Sequence, residues 1–198
     1  MGYTHYLYRA REFDPTAFRA AVADLRMVIL AAEIPLAGWD GCGEPVLTDE
    51  AISLNGVEHC GHRERDYGIA WPAPSMAEDG GTWFAGVLVS ERTCDGDCSH
   101  ETFLVRRVED TPQPWRGGLA EGRPEYFSFC KTAYKPYDLI VTAAMIILKH
   151  HLGAAVYTSS DGDTAHDHEW KDAMRLCQRE LGYGADFVLD SQREGVEA

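Results

Sequence analysis

Residues 136–152 limit most tightly what this chain can become. Pro136 suits a first helical position and Gly153 a stop, and residues 139–148 between them are apolar except for Thr142. A helix that is apolar nearly all round belongs at the centre of a core, with other elements packed on every side. Its longest apolar run is too short to span a bilayer. Lys149, His150 and His151 fall where the negative end of the helix dipole favours cations.

The flanking segments supply partners for such a helix. Residues 3–9 alternate as a strand should, and Asp14-Pro15 reads as an N-cap followed by a first-turn proline. Phe18, Val22, Leu25, Ile29 and Ala32 then line one face of a helix that Pro35 stops. Residues 38–49 read as a loop, and short strands are expected at 51–55 and 67–71. Strands at 82–91 and 101–107 form a hairpin across Thr93–Ser99, whose Asp95-Gly96 step suits a tight turn. Residues 109–124 are a loop, 125–131 a strand before the central helix, and 154–158 a strand after it. Thr164 and Asp167 have the spacing of a capping box, ahead of a stripe at Trp170, Ala173, Met174, Cys177 and Leu181. This order implies an α+β fold: one domain over residues 1–190, a mixed or largely antiparallel sheet, and about three helices packed mainly on one face. Residues 191–198 are expected to be a weakly ordered tail.

With 32 acidic and 18 basic residues, the formal charge is −14. That surface repels phosphate backbones and anionic lipid, which argues against general nucleic-acid binding and against a membrane partner. The N-terminal residues show no secretory pattern, so a cytoplasmic location is expected and the six cysteines should be thiols or metal ligands.

Residues 129–138, FCKTAYKPYD, form the local exception to the acidic balance. They place Lys131, Lys135, Tyr134, Tyr137 and Asp138 at a helix start, where unpaired N–H groups attract anions. An ammonium within about 6 Å of an anion contributes roughly 3 kcal/mol at an effective dielectric near 20. His5, His100 and Asp161 are expected at the same cleft, since strand ends and strand–helix loops gather functional groups. The sequence therefore points to binding of an anionic small molecule, phosphorylated or nucleotide-like. A small hydrolase or transferase working in the same cleft is the second reading. An interaction or structural protein with a structural zinc and no small ligand is the third. Cys130 as a nucleophile, with His5 or His100 as its base, is a further alternative. Asp161-Gly162-Asp163 lacks the remaining ligands of a calcium loop.

Cys60, His62, Cys94 and Cys98 offer two thiolate- and imidazole-bearing segments suited to a structural Zn²⁺. Unpaired thiols, or an adventitious Cys94–Cys98 bridge under oxidising conditions, are the alternatives.

Four segments, MGYTHY at the start, HETF at 100–103, FCKTAYKPYD at 129–138 and SSDGD at 159–163, carry a resemblance. They resemble an uncharacterised group of bacterial and phage proteins of similar length that open with MGYTHY and carry an FCKTA-x-KPYD segment. The resemblance implies a bacterial or phage origin and no particular chemistry, and the cysteine segments lie outside it.

Overall fold

Burial of one helix on all sides organises the molecule. The structure is a computed structural model describing residues 3–61, 96–110 and 126–194. Its described elements run β1 (Thr4–Arg9), α1 (Pro15–Ala32), β2 (Leu36–Ala37), β3 (Val46–Leu47), β4 (Ala51–Gly56), β5 (Phe103–Arg106), β6 (Tyr126–Lys131), α2 (Asp138–Leu152), β7 (Val156–Ser160), α3 (His168–Leu181) and α4 (Asp190–Glu194). The fold is α+β, with two antiparallel sheets and helices against them. The strands expected at 67–71 and 82–91, and with them one half of the hairpin, lie outside the described residues, as does most of the loop at 109–124.

Every residue of α2 from Asp138 to Leu148 is buried. The helix packs against α1, α3 and β7. From α1 come Phe18, Ala21, Val22, Leu25 and Val28, and from α3 come Trp170, Ala173, Leu176 and Cys177. By length and composition, Asp138–Ala155 is apolar enough to cross a membrane, but 61% of that window is buried inside the protein.

The first sheet has the order β6-β1-β7, antiparallel throughout. Tyr3, His5, Leu7 and Arg9 are buried on the helix side, while Tyr6 and Tyr8 point to the outer face beside Phe127. In the second sheet β4 is central and pairs with β2, β3 and β5.

Two contacts join the sheets. At one end the Glu101 N–H donates to the Lys131 carbonyl, and the Lys131 N–H donates to the Glu101 carboxylate at 2.7 Å. At the other end the buried Arg9 guanidinium donates to the carbonyls of Ala10, Arg11, Arg106 and Arg107 while lying over the Phe13 ring. Burial lowers the Arg9 pKa to about 10, which leaves it charged at neutral pH.

Several local expectations shift. Asp14 caps α1 through its side chain as expected, with Glu33 in the left-handed region closing the helix before Pro35. Residues 36–37 and 46–47 are short strands around a 3-10 turn rather than one loop, because β4 offers them an edge. The strand after α2 begins at Val156, since a 3-10 turn at Gly153–Ala155 intervenes. Pro136 sits in a turn two residues before α2 rather than opening it. The capping-box expectation fails: α3 starts after Asp167, which makes no side-chain cap bond, and Thr164 instead donates to Gln192. The expected tail overlaps α4, where Asp190 accepts from both the N–H and the hydroxyl of Thr158.

Arg9→Met keeps the aliphatic packing but strips the hydrogen bonds from the seam between the sheets. It should lower the unfolding free energy in urea by about 3 kcal/mol, and Arg9→Lys should recover less than half of that, because an ammonium cannot reach both strands at once. A loss below about 0.5 kcal/mol would mean that the seam does not depend on the guanidinium.

Candidate functional site

The four segments singled out in the sequence meet at one end of the first sheet. Tyr3 just before β1 and His5 within it, Thr132 and Tyr134 from the turn after β6, Asp138 from α2 and Ser160 from β7 come together there. The Thr132 N–H donates to the Tyr3 carbonyl, and the Asp161 N–H donates to the Thr4 carbonyl, so β1 ties the flanking turns together. Glu101 joins through its bonds to Lys131.

A chain of hydrogen bonds runs through the buried side. His5 Nε2 lies 2.8 Å from Asp138 Oδ1, and His5 Nδ1 lies 3.0 Å from Ser160 Oγ. Thr132 Oγ1 donates to the same Asp138 oxygen at 2.5 Å. With Asp138 as a carboxylate and His5 neutral, the tautomer that donates from Nε2 to Asp138 leaves Nδ1 to accept from Ser160. The His5 ring is held edge-on between Tyr3 and Trp170. His5 and Asp138 are buried, and Ser160 is half-buried with exposed Asp161 following it.

Tyr3 completes this cluster. Its ring stacks on Tyr134 at 4.2 Å. Its hydroxyl is buried and makes no well-formed hydrogen bond among the described residues. A Cβ at Gly162 would stand 2.0 Å from that oxygen, so only glycine lets the turn pass it. Burial first, and then the Asp138, Glu169 and Asp167 carboxylates, push the Tyr3 pKa well up, with Ser160 opposing. The phenol therefore remains a donor.

The alternation of the strands divides the other expected residues. Lys131 and Asp161 lie across from Thr4, on the face opposite His5. Asp161 accepts from the Thr4 N–H and the Tyr6 hydroxyl. The Lys135 ammonium donates to the Asp97 carbonyl at 2.6 Å, and the Tyr137 hydroxyl donates to the Glu101 carbonyl. The start of α2 is closed: Tyr137, Asp138, Leu139 and Ile140 are all fully buried. The Asp138 N–H bonds the Lys135 carbonyl, and the Ile140 and Val141 N–H groups bond that of Tyr137. His100 is exposed and is held by Asn55 through its backbone, outside the buried cluster.

For the zinc ligands, backbone bonds Cys98 to Val57 and Gly61 to Gly96 set the segment bearing Cys60 beside the one bearing Cys98. Among the described residues no group of three His, Cys, Asp or Glu side chains is placed to hold a metal. His62 and Cys94 lie outside the described residues.

Ser160, Thr132, Tyr3 and Trp170 are not among the residues expected at a site from the sequence. The signal for two of them was present: alternation through residues 3–9 puts Tyr3 and His5 on one face, and antiparallel pairing sets Ser160 opposite His5. The link to Asp138 is long-range and leaves no local pattern.

No protein-family model, curated protein or solved structure matches the chain.

The thiol of Cys130 is buried, donates to the Glu101 carbonyl and has its pKa driven far up by desolvation. Cys177 is pushed up to about 12, again by burial. Alkylation by iodoacetamide at about pH 8 should modify exposed Cys42 in the folded protein and spare Cys130 and Cys177 until denaturant is added. Mass spectrometry that finds Cys130 modified under native conditions would restore it as a nucleophile.

Proposed function

We propose that the protein is a small hydrolase in which Ser160 attacks, His5 moves the proton and Asp138 orients His5. The observation that carries this reading is the continuous chain from Ser160 Oγ to His5 at 3.0 Å and on to Asp138 at 2.8 Å. A hydroxyl, a base within reach and a carboxylate holding that base are the parts needed for acyl transfer.

In the step envisaged, His5 Nδ1 takes the Ser160 proton as Oγ bonds to the carbonyl carbon of a small ester. The same proton then passes to the departing alkoxide, leaving an acyl-serine. Water then adds to the acyl carbon as His5 takes its proton, the bond to Oγ breaks, and His5 returns that proton to Oγ, releasing the acid and restoring Ser160. Backbone N–H groups near Ser160 are already engaged, Asp161 with Thr4 and Gly162 with Ser160 Oγ. The donor offered to the developing oxyanion is instead the Tyr3 hydroxyl, a role open to a tyrosine in a water-poor site. The stacked Tyr3 and Tyr134 rings restrict access, which favours a compact acyl group.

Support for an anion held at the start of α2 is weaker, because the Asp138, Ile140 and Val141 N–H groups are spent, the helix start is buried, and Lys135 is engaged with Asp97.

A fluorophosphonate probe should label Ser160 in the native protein, identified by peptide mass spectrometry. Hydrolysis of p-nitrophenyl acetate should fall about 10³-fold or more in Ser160→Ala and about 10²-fold in Tyr3→Phe. An unlabelled Ser160, or turnover undiminished in Ser160→Ala, would end the proposal.

A further inference from the structure

The seam between the two sheets opens into a second site, independent of the hydrolase reading. β5 and β6 run antiparallel and touch at Glu101 and Lys131, then part toward Arg106 and Tyr126, where Arg9 reaches across. A groove of about 420 Å³ lies between them, with Trp39, Phe127, Phe129, Arg9 and Arg106 in its lining. That volume lies within the usual range of small-molecule pockets.

Hydrogen-bond parity shows what the groove presents. In an antiparallel pair, alternate residues turn their N–H and C=O toward the partner strand and the rest turn them away. The Thr132 N–H bonds the Tyr3 carbonyl, so Cys130, Ser128 and Tyr126 face β1, whereas Phe129 and Phe127 face outward into the groove. The Arg107 N–H bonds the Glu50 carbonyl, so Val105 and Phe103 face β4, whereas Leu104 and Arg106 face the groove from the other wall. Among the described residues, no strand pairs with either of these edges.

Two rings stand at the mouth. Trp39 is 59% exposed and Phe129 50%, which sets them among the few large apolar side chains left open to water among the described residues. Charge among the described lining residues runs against the acidic whole: two guanidiniums, Arg9 and Arg106, against the one carboxylate of Glu109. Arg106 meets Glu109 only at 3.6 Å and on the exposed rim.

We infer that this groove binds a free nucleotide, or a compound of that chemistry: a planar heterocycle with an amide-like edge, carrying an anionic group. The outward N–H and C=O of Phe127 and Phe129 match a heterocycle edge that offers one acceptor and one donor. Trp39 and Phe129 supply faces for stacking, a sequence-tolerant interaction available to any base. Arg106 takes the anionic group, and the Arg9 charge biases the floor. A base within a single strand has the same ring chemistry, but its further phosphates would meet a chain at −14, which selects the free form.

Intrinsic fluorescence and calorimetry with AMP, GMP, CMP and UMP at about 1 mM, alongside a dT-rich single-stranded oligonucleotide, test this. At least one mononucleotide should bind. Trp39→Ala and Phe129→Ala should each weaken it about tenfold. Arg106→Gln should weaken the nucleotide while leaving the matching nucleoside unchanged, and Ser160→Ala should leave binding intact. All four substitutions are of exposed or half-buried residues outside the core, and circular dichroism confirms their folding. The inference is overturned if no mononucleotide binds, if the ring variants bind as the parent does, or if the oligonucleotide binds more than tenfold tighter than any mononucleotide.

Discussion

A carboxylate at the first turn of a helix buried from Asp138 to Leu148 sets the terms for the rest of the structure. Asp138 has no exposed surface, and an ion taken from water without partners costs several kcal/mol. His5 from β1 and Thr132 from the turn ahead of α2 both bond its Oδ1. Engaging His5 fixes the phase of β1. With His5 turned inward, Tyr3, Leu7 and Arg9 must also face the helices, and Tyr6 and Tyr8 must face out. The same choice carries Arg9 to the seam between the sheets and Tyr3 to the turn at Gly162. One polar contact at the edge of an apolar core thereby positions both the Ser160 chain and the groove.

That arrangement separates two kinds of chemistry with a single sheet. Its helix side is buried and holds an ordered row of hydrogen-bonding groups. Its opposite face holds the rings of Tyr6, Tyr8 and Phe127 and the half-buried Lys131. Lys131 and His5, close in the folded chain, are assigned to different faces simply because their strand positions have opposite parity.

The fold was largely legible because its strongest signals are periodic. The apolar run after Pro136, the stripe on α1 and the alternation at residues 3–9 each say which face is buried, and the structure agrees. Boundaries were harder where a turn competes with the helix, as at Lys135–Tyr137 and at Thr164–Asp167. The site was only partly legible. Motif-bearing segments did gather at one place, yet the hydrogen bonds that matter join residues more than a hundred positions apart. Lys135 illustrates the limit: its proximity to a helix start was visible, but the Asp97 carbonyl that occupies it was not. The groove left no trace beyond scattered aromatics, since it arises from the divergence of two strands that sequence cannot register.

Arg9 also decides how the two sheets respond to their surroundings. Its partners are carbonyl oxygens, which neither protonate nor attract counterions, so acid and salt leave this joint untouched while they erode the carboxylate pairs on the exterior. The molecule should therefore loosen from its rim inward, with the union between its halves among the last features to yield.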